Sequence, residues 1–290
     1  MLAIGLGVLA GILFGLLTVM VRRGLIRTSD PIAGSVIVIG IATVIVLGVT
    51  IVSGQAADLL DPGIAAVYFT IGLIAPGASQ IIFMLAVRDV GASRVAIMIG
   101  TAPLLATIIA VVFRDEPLKA GLLAGTVLIV VGGASLAYER NLPAGFRARG
   151  MLLAFLCALT FACRDNAMRM AGLETDMDPR AATSWALIGA FVAVAGFAVV
   201  TRRRALPGQL REVLIPFLPA AIVFGMAYTT LTIALGIGKV TIFAPLNAMQ
   251  SMWTVLLAWL ILGRSDGIGV RVVAAMLLVV SGGILIGLFR

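Results

Sequence analysis

The chain opens on a run of some twenty apolar residues, 2–21, closed by Arg22 and Arg23, and nine further runs of similar length follow. About twenty apolar residues cross the hydrocarbon layer of a bilayer as an α-helix. Runs of that length leave few alternatives, because a soluble domain has no interior large enough for ten of them. The runs fall at 2–21, 32–52, 65–87, 92–113, 118–138, 151–170, 181–200, 215–236, 240–262 and 268–289. Charged residues make up 12% of the sequence, about half the share in a soluble domain. The first run has no basic segment before it and two arginines where a cleavage site would stand, so it reads as a span and not as a signal peptide.

The second constraint is duplication. Residues 101–133 contain an apolar run, the turn Arg114-Asp115-Glu116-Pro117, a second apolar run and Gly132-Gly133. Residues 251–283 repeat that order, with Arg264 at the place of Arg114, Asp266 at that of Glu116 and Gly282-Gly283 at that of Gly132-Gly133. The first and sixth runs match independently. Gly7, Gly11 and Gly15 fall on Ala154, Ala158 and Ala162, Phe14 on Phe161, and Arg22 on Arg169. The polar link around 139–150 divides the chain into units 1–140 and 141–290, each of five runs. A duplicated unit with an odd number of spans inserts its second copy upside down, an arrangement that places a substrate site at the repeat interface near the midplane. The expected fold is therefore an all-α integral membrane protein of ten transmembrane helices, built as two inverted five-helix repeats around a central cavity.

Charge gives the expected orientation. Of the 21 Lys and Arg residues, 14 fall in the loops after the odd-numbered spans. The positive-inside rule puts those loops in the cytoplasm and both termini outside. The net charge of +8 is then spread over membrane-flanking loops and forms no nucleic-acid-binding domain.

Several chemistries lack their residues. The sequence has no His, which removes the usual general base and most zinc sites. Cys157 and Cys163 lie six apart, on different faces of a helix, and suit neither a disulfide nor a metal pair. No phosphate-binding loop is present. The expectation is a protein that is not an enzyme and holds no cofactor and no metal. Its partners are a small-molecule substrate and the lipid bilayer, with a monomer as the simplest assembly.

Polar residues within apolar runs are the candidate binding groups. Ser79 and Gln80 in the third span fall on Thr229 and Thr230 in the eighth, beside Tyr228, and Thr101 falls on Ser251, near Asn247, Gln250 and Trp253. Either these groups line a polar cavity or they hydrogen-bond between helices. The sixth span is irregular: only 151–163 is cleanly apolar, so to cross it must carry Arg164, Asp165 and Asn166 into the membrane, where a charge costs roughly 2.5–3.5 kcal/mol without a partner or a wet cavity. Arg164 suits a substrate carboxylate, and Asp165 an ammonium group or a coupling proton. The alternative is an i,i+4 pair of Asp165 with Arg169. Tyr228 and Trp253 offer ring faces to an apolar or cationic solute. Trp185 and Trp259 read as packing or interface residues. Pro76, Pro103 and Pro245 lie inside spans, as gating hinges or as kinks that only shape the bundle.

Taken with ten spans in two halves, the stretch from Ala102-Pro103-Leu104 through Arg114-Asp115-Glu116-Pro117 to Gly132-Gly133 resembles the drug/metabolite transporter superfamily, EamA type. The second copy departs from that pattern, with Asp266 for the Glu and Pro245 farther upstream. Within the superfamily the chain looks most like YddG-type exporters of amino acids. The resemblance implies alternating access around a central cavity in a bacterial-type inner membrane. Some members hold both termini in the cytoplasm, and the charge count here gives the opposite. Three readings stay open: export of amino acids or similar metabolites, broad export of cationic or aromatic drugs, and a passive channel.

Overall fold

In the computed structural model the described residues are 2–102, 104–105, 108–109, 120–135, 146–175, 177–202, 206–237, 249–263 and 268–289. All regular structure among them is helical: α1 (Leu2–Thr28), α2 (Pro31–Val52), a short 3-10 turn (Ala57–Leu60), α3 (Pro62–Gly72), a π-helical segment (Leu73–Ala78), α4 (Ser79–Val90), α5 (Ala92–Ile99), α6 (Ala120–Ser135), α7 (Arg149–Glu174), α8 (Pro179–Arg202), α9 (Leu206–Ile237), α10 (Gln250–Leu262) and α11 (Val270–Phe289). Six helical stretches are long and apolar enough to cross a membrane, and shorter apolar helices account for parts of three more spans. The turns at 114–117 and 264–267, together with Pro103, Pro245 and Asn247, lie outside the described residues.

The surface is turned inside out relative to a soluble protein. Val44, Val52, Val200, Ile215, Trp259, Leu260 and Val270 all stand more than half exposed. Such a belt is stable only against lipid, and helices are the elements that satisfy their own backbone there. Inside, contacts rest on small residues. A Cβ on Gly189 of α8 would collide with the Phe69 carbonyl of α3, so glycine is what lets those two backbones touch. Gly132 and Gly282 each pack on the helix that carries the other. Gly132 of α6 packs on Ala275 and Val279 of α11, and Gly282 of α11 packs on Gly125 and Ile129 of α6.

Two spans differ from the sequence expectation. The first does not stop at Arg22: α1 continues to Thr28, and Arg22 is buried at 6% exposure instead of standing in a loop. Its guanidinium finds backbone carbonyls inside the bundle, as described below. The third span is not one helix. At Ala75, φ −143° and ψ 117° interrupt the helical backbone next to Pro76, which separates α3 from α4. The sixth does follow the expectation: α7 is continuous through Arg164, Asp165 and Asn166.

The helices cross back and forth between two ends of the bundle. At one end the start of α2 meets the end of α8. Asp30 caps α2 by accepting from the Ile32 and Ala33 amides at 3.2 Å, and its other oxygen takes Arg202 at 2.7 Å. The end of α4 and the start of α7 meet at this end too, where Asp89 contacts Arg149 at 2.7 Å. At the other end, the Asp178 amide donates to Asp58 (3.3 Å) and the Tyr68 hydroxyl lies 3.0 Å from that of Thr175. The first end gathers Arg22, Arg23, Arg27, Arg88, Arg147, Arg149 and Arg202, while Asp58, Asp61, Glu174 and Asp178 lie at the second with Arg180.

Packing pairs organise the interior. α1 lies along α9 and against α10; α7 lies along α4 and α5. α2 packs on α9, and α8 on α3 and the π-helical segment. α2 also meets α8, α5 meets α10, and α6 meets α11. Between α2 and α8 the contact is partly polar: Thr43 donates to the Leu187 carbonyl (3.2 Å) and the hydroxyls of Thr50 and Ser184 lie 2.9 Å apart.

Candidate functional site

The middle of the bundle holds a guanidinium among rings. Arg164 lies fifteen residues into α7, about 22 Å from its start at 1.5 Å per residue, close to the centre of the helix. One turn earlier on the same face, Phe161 puts its ring 4.8 Å from the Arg164 guanidinium carbon, within cation–π range. On the opposite wall, α9 supplies Tyr228, whose hydroxyl accepts from Arg164 Nη1 at 3.1 Å. Two more rings continue the lining edge-to-face: Phe14 of α1 at 5.4 Å and Phe224 of α9 at 4.7 Å from the Tyr228 centroid. These separations fall in the favoured range for aromatic pairs. Tyr228 is thus held on two sides by rings while its hydroxyl meets the cation.

Polar groups extend from this cluster along both neighbouring walls. Cys157, two turns before Arg164, points its thiol at the Ser79 carbonyl at 3.9 Å, which seats the first turn of α4 against α7. Ser79 and Gln80 are buried at 0% and 4% exposure, and among the described residues neither the Ser79 hydroxyl nor the Gln80 amide nitrogen has a hydrogen-bond partner. On the other wall Gly15, next to Phe14, admits α10. A Cβ there would come within 2.9 Å of both the Thr254 amide nitrogen and Trp253 Cβ. The indole nitrogen of Trp253 is buried and likewise without a partner among the described residues. Buried polar atoms are nearly always paired, so three donors left over on the walls that flank the aromatic cluster mark a place equipped for an acceptor-bearing ligand.

The sequence candidates divide accordingly. Arg164, Tyr228, Ser79, Gln80 and Trp253 come together along the seam formed by α1, α4, α7, α9 and α10. Thr229 is half-buried beside Tyr228, and Gln250 is half-buried at the start of α10, its carbonyl accepting from Thr254 at 3.0 Å. Thr101 and Ser251 lie near each other but spend their hydroxyls on backbone. Thr101 donates to the Met98 carbonyl (2.6 Å), and Ser251 to the Ala96 carbonyl of α5 (2.6 Å), where α10 crosses α5 at Gly100. Ser251 serves the helix–helix contact, and Thr101 closes a local turn. The Asp165 side chain lies outside the described residues, as do Asn247, Pro103 and Pro245. Trp185 packs beside Tyr68, Ala171 and Ala182, and Trp259 stands 61% exposed on the apolar belt.

Sequence reasoning passed over the rings of Phe14, Phe161 and Phe224. Their signal was available in part, because the duplication aligns Phe14 with Phe161. Phenylalanine in an apolar run carries no mark of its own, and only the folded arrangement puts three of them around one tyrosine and one arginine.

Comparison with known proteins bears on the chain as a whole. A family model described as the EamA-like transporter family matches residues 1–137 and 148–288. No curated protein matches the chain in sequence. In fold the chain is similar to a protein of known crystal structure, with a TM-score of 0.63 over 96% of this chain and 95% of the other at 18% sequence identity. At that identity the likeness concerns the fold alone.

Proposed function

The chain belongs to the EamA-like transporter family, and on that footing we propose that it is a secondary transporter that exports amino acids or similar small metabolites by alternating access. As a member it is a multi-pass membrane transporter and not an enzyme. The observation that carries the finer reading is Arg164, a cation near the centre of an apolar helix, stacked on Phe161 and bonded to Tyr228. A charge at this depth in a membrane span is expensive and marks a substrate or ion path. Its guanidinium suits a carboxylate, which it grips through two parallel N–H donors. Ser79, Gln80 and Trp253 supply further donors, the rings supply an apolar wall, and Thr229 and Gln250 extend the polar lining.

Support for two inverted five-helix repeats of ten spans comes from three directions. The family model matches two segments of similar length. The packing pairs exchange under the swap of halves: α1 with α9 and α10 mirrors α7 with α4 and α5, while α2 with α8 and α6 with α11 are their own mirror images. The arginine-rich end collects the loops after the odd-numbered spans, which the positive-inside rule assigns to the cytoplasm, leaving both termini outside. YddG-like amino acid export in a bacterial inner membrane, by a monomer, is the specific form of this reading. Export of cationic drugs fits the rings but not the central guanidinium, which repels a cation in a low-dielectric site.

Flux in liposomes tests the reading. Saturable uptake of a labelled amino acid, accelerated by unlabelled amino acid on the far side, is the expected result. Linear flux that no solute competes for would overturn the carrier in favour of a channel.

A further inference from the structure

At the arginine-rich end one contact differs in kind from its neighbours. Arg22, buried near the end of α1, donates Nη1 to the carbonyls of Val87 (3.0 Å) and Arg88 (2.8 Å). Both belong to the last turn of α4, which ends at Gly91 with φ +91°. The last carbonyls of a helix lack intrahelical partners and carry the negative end of its dipole, so a cation is favoured there. A cap of this type normally comes from the chain that follows the helix. Here the Gly91 amide caps the Val87 carbonyl at 3.1 Å, and another span adds a cation to it.

The contact also crosses a seam. α4 is bound to α7 on its own side: the Asp89 carboxylate, 1% exposed, takes Arg88 Nε at 2.9 Å and Arg149 Nε at 2.7 Å, and the Arg147 amide donates to the Asp89 carbonyl at 2.8 Å. α1 is bound to the other side, along α9 and against α10. The ion pairs at Asp89 therefore hold one group of helices together, whereas Arg22 joins that group to the next. Along α1, Phe14, Thr18 and Arg22 recur every four residues and form one stripe. Phe14 at the near end of the stripe touches Tyr228 in the central cluster, so the helix that carries the contact also lines the site.

We infer that Arg22 is a positioning residue for transport, the latch that seals the arginine-rich end of the path when α1 docks on the carbonyls of α4 and frees it when α1 moves away. This rests on the alternating-access reading above. The chemistry suits a reversible seal. A guanidinium leaving the carbonyls of Val87 and Arg88 for water exchanges two oxygen acceptors for two others. The seam opens at Arg22, while the Asp89 pairs keep α4 on α7.

The test reads access to the site and not flux alone. In a background of Cys157→Ser and Cys163→Ser, Thr229→Cys supplies a thiol beside Tyr228, and a membrane-impermeant maleimide is added from each side of oriented vesicles. Arg22→Gln is expected to raise labelling from the arginine-rich end about fivefold, while Arg22→Lys, which keeps a cationic donor, stays within about twofold of the parent. Unchanged labelling in Arg22→Gln, with saturable flux shown for the wild-type protein, overturns the latch and leaves the transport reading standing. A wild-type protein without saturable flux overturns the transport reading itself. Should Arg22→Gln not fold, a cleavable bis-maleimide between Arg22→Cys and Arg88→Cys tests the same seam. Flux lost on bridging and recovered on cleavage supports the latch, and flux indifferent to bridging overturns it.

Discussion

Arginine does different work at the centre of this bundle and at its end. Around Asp89, Arg88 and Arg149 face one carboxylate in ion pairs, and the polar atoms that join α4 to α7 are spent on one another. Arg164 instead meets a neutral hydroxyl and the face of the Phe161 ring, and Ser79, Gln80 and Trp253 on the adjoining walls carry donors without a partner among the described residues. Both regions accept the cost of putting charge in an apolar chain. At the end the charges are neutralised within the fold. At the centre Arg164 meets a ring face and a hydroxyl, beside polar atoms that hold no partner among the described residues, which is the arrangement expected where a ligand is handled.

That contrast predicts opposite outcomes for the two arginine sites. Arg164→Gln is expected to lower saturable flux about a hundredfold, the equivalent of roughly 2.7 kcal/mol for a charge-assisted bond to substrate, with no loss of folding in size-exclusion chromatography. Wild-type flux in this variant would return Arg164 to a packing role beside Phe161. Asp89→Ala is expected to do the reverse. It strands two guanidinium groups and lowers stability by about 2 kcal/mol, less than a fully buried pair would, because Arg149 is more than half exposed. A thermal midpoint in detergent equal to that of the parent would show that the Asp89 cluster is not a structural tie.

The sequence made the apolar spans, the duplication and the seam's polar residues legible, because apolar periodicity and spacing survive without a fold. Arg164 announced itself by interrupting a run that is otherwise too short to cross. Arg22 was misread for the opposite reason. A basic pair after twenty apolar residues resembles the end of a span, and nothing local tells that α1 continues for another turn and a half and buries the first of the pair against α4. The interruption at Ala75 was visible only as Pro76, since proline restricts its own φ and the residue before it but does not say whether a helix bends or breaks. Thr101 and Ser251 were chosen for polarity and position. A hydroxyl that donates to a helix carbonyl and one that faces a cavity are spelled by the same residue, and only coordinates separate them.

The smaller effects sharpen the boundary between the two regions. Tyr228→Phe keeps the ring between Phe14 and Phe224 and removes only the hydroxyl that meets Arg164. A net hydrogen bond of about 1 kcal/mol predicts a fivefold rise in the KM of transport with little change in stability. An unchanged KM would place Tyr228 outside the ligand's reach and narrow the site to α4 and α7. Ser251→Ala removes the donor to Ala96 at the crossing of α10 and α5. Interhelical bonds in lipid average about 0.6 kcal/mol, so a slightly lower thermal midpoint and unaltered flux are expected. If flux fell tenfold while the midpoint held, the Ser251 hydroxyl would be serving the solute in some other state of the cycle. The functional seam would then extend past the aromatic cluster to where α10 crosses α5.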